Sequence, residues 1–227
     1  MTAGAEPREP PGWGLFAQWH DLIDRGDPRF TMLSTVQEVA EPLARLESTI
    51  AVSIWNMQRH HNIYSWRDSA DFDASLRRRK VEMRMILPRR VAERRSPLAS
   101  SFEPGLRVAP VAHPLMICDH RWVIVGDSTG DTVWTSADPG VVGRAVQFYE
   151  GVWGEAVPAV PEGENPPFTR RMVDIALLLV DGATDREIAR SLGISERTVS
   201  SDVREMSRRL GARSRAHAIA LVSGVDG

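Results

Sequence analysis

Apolar positions along this chain change period several times before the linker near residue 160. From Glu38 to Ser48 they recur at helical spacing (Val39, Leu43, Leu46), and the run Thr49-Ile-Ala-Val-Ser-Ile-Trp55 that follows is strand-like. A helix over about 71–80 leads into a strand, Val81–Leu87, and a short strand lies near Leu106–Val108. Leu115–Cys118 and Trp122–Gly126 flank Asp119-His-Arg121, which predicts a hairpin. Thr132–Trp134 adds another strand, and Val142, Ala145, Phe148, Tyr149 and Val152 mark an amphipathic helix over Val141–Trp153. Strands alternating with helices predict an α/β domain over residues 29–157. Residues 1–28 read as a tail and lead-in to it, the first twelve being polar, Pro-rich and disordered.

Residues 158–167, Pro-Ala-Val-Pro-Glu-Gly-Glu-Asn-Pro-Pro, hold four prolines and no apolar period, and read as the linker between two domains. Beyond it strand signals stop. Thr169 can cap a helix whose Val173, Ala176, Leu177 and Val180 share a face, and Gly182 ends it. Thr184-Asp-Arg-Glu187 has the spacing of a capping box, opening a short helix with Ile188, Ala189 and Leu192 inward. Gly193 makes the turn, Ile194 plugs it and Ser195 caps the next helix. On that helix Val199, Val203, Met206 and Leu210 form one stripe, while Arg197, Ser201, Arg204 and Arg208 recur on the opposite face with Ser200 at its edge. Three amphipathic helices with merely solvated arginines would show a similar face. The joint order of capping box, small Ala, Gly turn, second cap and basic face points instead to a helix-turn-helix whose third helix enters a major groove.

Composition changes this picture little. The 28 basic and 30 acidic residues leave a net charge of −2. Residues 168–227 hold ten arginines against eight acids, and the upstream chain 18 bases against 22 acids. Such a small excess would not by itself establish nucleic-acid binding. The single Cys118 excludes an intramolecular disulfide and fits a reducing compartment. The opening residues lack the apolar core of a secretory signal, and Ile175–Val180, the longest apolar run, is too short to span a bilayer. A cytoplasmic protein without membrane attachment is expected.

The string Phe168-Thr-Arg, then Asp185-Arg-Glu-Ile-Ala-Arg-Ser-Leu-Gly-Ile-Ser-Glu-Arg-Thr-Val199, then Arg209-Leu-Gly-Ala-Arg-Ser-Arg-Ala216 resembles the LuxR/GerE family of bacterial regulators. The resemblance implies an all-α, four-helix domain over 168–227, with the helix Ser214–Val222 packed on the others and available as a dimer contact. It places Ser200, Ser201 and Arg204 toward bases and Thr184, Arg197, Thr198 and Arg208 toward phosphates, and the DNA-facing set expected here also includes Ser195. The family usually has Lys where Ser200 stands and His where Asp202 stands. Asp202 would repel phosphate unless it points away or accepts from a cytosine amine.

In the first domain, Val108–Gly126, Arg79–Leu87 and Phe148–Trp153 look like the core of the phospholipase D-like fold, as joined to LuxR-type domains in actinobacterial regulators. That superfamily uses a His, a Lys two residues on and an Asp five further on for phosphoryl transfer. Here Leu115 stands two residues after His113, and Asp119 six after it, with no lysine. Without a cationic partner the charge developing at phosphorus goes unstabilised, so a degenerate, non-catalytic sensor or dimerisation domain is expected, the alternative being a hydrolase fused to a DNA-binding module. A metal site from His113, Cys118, Asp119 and His120, with His60 and His61, is weighed and set aside, because neighbouring strand residues face opposite sides. Trp55, Trp66, Trp122 and Trp134 either line an effector pocket or fill the core. The resulting expectation is a homodimeric transcription regulator that binds double-stranded DNA and is no enzyme. It needs no cofactor or metal, and its small-molecule effector, if any, is unidentified. The rival is an interaction protein that kept the fold without binding DNA.

Overall fold

In a computed structural model of the chain, the residues described are 12–35, 38, 40–59, 72–94, 100, 102, 105–127 and 131–223. His60, His61, Trp66 and the first eleven residues of the expected tail lie outside them. The described residues fall into two compact units. The first is drawn from the residues up to Arg59, from Phe72–Pro88 and from Arg107–Val157, and the second from Arg89–Leu106 and the residues from Pro158 onward.

The helices are α1 (Trp13–Asp24), α2 (Ala40–Glu47), α3 (72–78), α4 (Arg89–Arg94) and α5 (Pro139–Glu155). The strands are β1 (Thr31–Thr35), β2 (Ser53–Met57), β3 (Glu82–Leu87), β4 (Leu106–Val108), β5 (Leu115–Cys118), β6 (Trp122–Gly126), β7 (Thr132–Ser136) and β8 (Val157–Pro158). They form one eight-stranded sheet in the order β1-β7-β6-β5-β2-β3-β4-β8. β2 and β3 run parallel, as expected of strands with a helix between them in the chain, whereas β2–β5, β5–β6, β6–β7 and β7–β1 are antiparallel.

The alternation of strand side chains decides which residues meet which helices. Trp55 and Met57 on β2, with Leu115 and Ile117 on β5, face the side where α1 supplies Phe16, Trp19 and Ile23 and α5 supplies Val141, Val142, Ala145, Tyr149 and Val152. Ile54 and Cys118, one residue out of phase, join Ile50, Leu76 and Val81 on the other side. The hairpin turns on Asp119 and His120, both at positive φ (52° and 54°), with the Arg121 N–H donating to the Cys118 carbonyl at 2.9 Å. No described helix is long and apolar enough to cross a membrane.

Two expectations need correction. Residues 1–28 were read as lying outside the domain, yet α1 is part of its core: Phe16, Trp19 and Ile23 are 1%, 0% and 4% exposed. Their spacing of three and four is helical, and the Pro-rich opening masked it. Gly12 starts this helix at φ 86°, where a Cβ would fall 2.4 Å from the Phe148 ring, so another residue there would strain the backbone and push that ring aside. The strand expected over 49–55 forms over Ser53–Met57 instead. The physical reason is the Asp119 carboxylate, which accepts the N–H groups of Ala51, Val52 and Ser53 at 2.8 Å each and so occupies donors a longer strand would need.

Burial alone would raise the Asp119 pKa, but these three backbone donors, helped by the nearby charge of Arg121, hold it below the ordinary aspartate value of 3.8. A carboxylate depressed in the folded state stabilises at neutral pH and loses that contribution as pH falls through and below 3.8. Asp119→Asn is therefore expected to cost about 1 kcal/mol at about pH 7 and much less at about pH 3, measured by urea unfolding at both. An equal cost at both values would show that the charge is not what holds the turn.

Candidate nucleic-acid interface

Four helices make the C-terminal array: α6 (Arg170–Val180), α7 (Asp185–Leu192), α8 (Glu196–Arg209) and α9 (Arg215–Ser223). Their boundaries follow from local chemistry. The Thr169 hydroxyl accepts the Met172 N–H, and Gly182, at φ 81°, lies just past the last turn of α6. At α7 the capping box is complete: the Thr184 hydroxyl accepts the Glu187 N–H at 3.3 Å, and the Thr184 N–H donates to the Glu187 carboxylate at 2.8 Å. Gly193, at φ 64°, turns the chain, and the Ser195 hydroxyl accepts the Thr198 N–H at 3.1 Å to start α8. Each of these signals was legible in the sequence.

Packing follows the predicted stripes with one widening. Ile188 and Ala189 on α7 are buried, as are Val199, Val203 and Met206 on α8, while Leu192 and Leu210 are half-buried. On α6 the buried set is Met172, Val173, Ile175, Ala176 and Leu179, with Leu177 and Val180 only half-buried. The α6 face is wider than expected because this helix packs against both α8 and α9.

The exposed face of α8 carries Arg197, Ser200, Ser201, Arg204 and Arg208, but these residues are not equally available. Arg197, Ser201 and Arg204 have no hydrogen-bond or ion-pair partner among the described residues. Arg208 is held by Glu205 through Nε at 2.9 Å and a terminal nitrogen at 2.6 Å, and Arg209 reaches the same carboxylate at 2.7 Å. The two guanidinium groups pull the Glu205 carboxyl down to about 2. The Ser200 hydroxyl donates to Asp185 at 2.7 Å. Ser195 and Thr198 share a hydroxyl–hydroxyl bond at 2.8 Å, and the exposed Thr184 hydroxyl is committed to its cap. Of the eight residues expected to face DNA, Arg197, Ser201 and Arg204 thus stand ready, and the others first exchange an internal partner.

Asp202 resolves differently from its neighbours. It is 7% exposed and accepts from Arg171 of α6 at 2.6 Å through Nε and 3.3 Å through a terminal nitrogen. Its charge faces the scaffold rather than the basic face. The pair ties α8 to α6 from 31 residues away, a separation at which no sequence period could reveal it. Arg171→Ala would strand a buried carboxylate. Because Arg171 is itself half exposed, the expected loss is about 1–2 kcal/mol rather than the larger cost of a fully buried pair, read from thermal unfolding. Asp202→Asn, which keeps an acceptor, is expected to lose less. Asp185 is a second residue that sequence patterns miss. It binds Ser200 of α8 and Arg215 of α9, and Arg215 first, then Ser200, hold its carboxyl below the usual range against the opposing effect of burial.

In the first unit the residues weighed for chemistry do not converge. The half-exposed His113 ring packs on Phe16 at 4.8 Å and on His20 at 4.9 Å between centroids, and burial, with His20 and Arg59 nearby, lowers its pKa. Cys118 is buried, which pushes its thiol up to about 12. Asp119 is spent on backbone donors, and His120 packs edge-on against Trp55 at 4.2 Å between centroids. The described residues contain no group of three or more metal-capable side chains. Trp55 is 2% exposed and belongs to the core, whereas Trp122, 36% exposed, borders an open groove of about 500 Å³ with Arg121, Pro139, Val142 and Val146.

Residues 166–222 match the family model for bacterial regulatory proteins of the luxR family, GerE. No curated protein matches the chain. Among solved structures it is similar to TrmBL2, an archaeal chromatin protein, at 16% identity and a TM-score of 0.43, over 63% of this chain and 58% of that one. It is also similar to NucT from Helicobacter pylori, at 13% identity and a TM-score of 0.47, over 57% of this chain and 98% of that one. A third likeness is to VqmA of Vibrio cholera, solved with ligand and DNA, at 20% identity and a TM-score of 0.25, over 50% and 48%. The chain therefore carries a LuxR-family helix-turn-helix domain behind an eight-stranded sheet domain.

Proposed function

We propose that this chain is a sequence-specific DNA-binding transcription regulator of the LuxR type, with α8 as its recognition helix. The observation that supports it most is the exposed face of α8. Arg197, Ser201 and Arg204 project without a hydrogen-bond or ion-pair partner among the described residues, from a helix whose opposite stripe is buried and whose Asp202 is turned into the scaffold. Guanidinium forks at that spacing can reach phosphates and guanine edges while a short hydroxyl allows close approach. The regulator would work in the cytoplasm as a homodimer, with α9 as contact, presenting two recognition helices to half-sites about one helical turn apart. Anisotropy titrations of the full chain with duplex DNA over a salt series test the reading. Affinity should fall steeply as salt rises; a chain that binds no duplex at low salt is an interaction protein instead.

The first unit serves, in this proposal, as a non-catalytic sensing or dimerisation domain, a degenerate relative of the phospholipase D-like fold. A His113 packed against Phe16 and His20, with Leu115 rather than a lysine two residues on, and an Asp119 committed to backbone N–H groups, support that role. Turnover of an activated phosphodiester by the full chain, lost on His113→Ala, would overturn the non-catalytic assignment.

A further inference from the structure

We propose that one end of the sheet in the first unit is a second contact surface for double-stranded DNA, gripping the phosphate backbone through Arg78, Lys80 and Arg121. This rests on the DNA-binding reading above and extends it to a part of the chain outside the helix-turn-helix.

The fold brings these cations together from distant segments. β2 and β3 begin side by side, Ser53 opposite Glu82, and β5 ends against them with Cys118 opposite Ile54. The Asp119 N–H donates to the Ser53 carbonyl at 2.8 Å, and Arg79 donates to the Ile50 carbonyl at 2.7 Å. The end of α3, the start of β2 and the tip of the β5–β6 hairpin therefore share one rim.

On that rim Arg78, Lys80 and Arg121 are exposed, and their side chains have no hydrogen-bond or ion-pair partner among the described residues, Arg121 acting on Asp119 only through its charge. The carboxylates on the same strand ends are occupied. Asp119 takes three backbone donors, Glu82 binds Arg84 at 2.7 Å, and Asp138 caps α5 at 3.0 Å. Three available cations beside three engaged acids run against the background, since the chain upstream of residue 168 has 22 acids to 18 bases.

Lys80 sharpens the point. It is the only lysine in the chain and sits at φ 60°, closing α3 with its own N–H on the Arg77 carbonyl and the Val81 N–H on that of Leu76. Gly26, Gly182 and Gly211 close other helices through the same pair of bonds. A lysine at a glycine position carries backbone strain and contributes a charge in exchange. Beside it stand exposed Val52 (67%) and Trp122 (36%) and the exposed His120, which supply apolar and aromatic surface for sugars to pack on. Duplex DNA is the favoured occupant because the helix-turn-helix holds a duplex in the same chain, raising its effective concentration at any second site.

The test uses the full chain and its R78Q/K80G/R121Q variant on random-sequence duplexes of about 60 and about 15 base pairs, the shorter spanning little more than one site. Glycine at 80 suits the left-handed backbone, so the fold should persist, and R78K/K80R/R121K, which keeps the charge, should behave as the parent. On the long duplex the slope of log affinity against log salt should shrink by about 2 to 3 in the neutral variant, about 0.9 for each lost phosphate contact. Its binding to the short duplex should be unchanged. An unchanged slope on the long duplex, while the parent binds both DNAs, overturns the second surface alone; a parent that binds neither overturns the proposed function itself. Loss of binding to phosphatidylserine vesicles with an unchanged DNA slope would assign the rim to an anionic membrane and equally overturn the proposal.

Discussion

Trp19→Ala is expected to destabilise the first unit by about 3 kcal/mol or more, enough to unfold a marginal domain. Trp19 lies on α1, is fully buried, and packs edge-on to Phe16 at 5.5 Å with Phe30 at 6.5 Å. Truncating it removes a large apolar surface and opens a cavity that α1, α5 and the sheet cannot all close upon. One effect works the other way: the indole N–H has no hydrogen-bond partner among the described residues, so its removal relieves a buried donor. Trp19→Phe, which keeps most of the packing and drops that donor, should cost less than half as much. Tryptophan fluorescence during denaturant unfolding isolates the effect, because all seven tryptophans precede residue 154 and the C-terminal helices have none. A Trp19→Ala variant as stable as the parent would mean that α1 is an appendage after all.

The second large effect is on DNA binding. Arg204→Ala should weaken binding to a cognate site about 10- to 100-fold and relax discrimination among variants of it, the usual value of one bidentate base contact. Arg208 sits four residues on along the same exposed face, yet its guanidinium is held by Glu205 at 2.6 and 2.9 Å. Contact with phosphate means giving up that pair, so Arg208→Ala should weaken all sequences alike and by less, with the salt slope reduced by about 1. Glu205→Ala, which frees Arg208 and Arg209, should strengthen binding to random DNA. Titrations on cognate and random duplexes separate these outcomes, and equal losses on both from both arginine variants would sink the assignment of the face.

Several features of the interface were open to inspection of the sequence because they are local. Thr184 and Glu187 are three residues apart, Ser195 and Thr198 likewise, and Gly193 lies between the helices it turns. The buried stripe of α8 follows from a period of 3.6 and needs no partner to be recognised. Asp202 shows where this reasoning stops. Its position on α8 says only that it lies beside the basic face. Whether it repels DNA depends on Arg171, a residue of another helix, and on the burial the two share. Ser200 and Arg208 are similar: sequence places them on the DNA-facing side, and Asp185 and Glu205 decide how free they are.

The same division runs through the first unit. Strand alternation and the hairpin residues Asp119-His-Arg121 predicted the sheet elements, and the helical spacing of Phe16, Trp19 and Ile23 was present to be read. Beyond the β5–β6 hairpin, which strands are neighbours was not, since β5 also pairs with β2 and β7 with β1, Thr31 lying opposite Thr135 from far along the chain. By itself the sequence determined the local devices of this protein: caps, turns, periods and the charge of each face. Those depend on residues within a turn or two, where backbone geometry leaves few choices. Only the tertiary structure decided which charges are spent and which remain available, because a carboxylate such as Asp119, Asp185 or Asp202 is neutralised by whatever the fold brings to it, and that partner can come from anywhere in the chain.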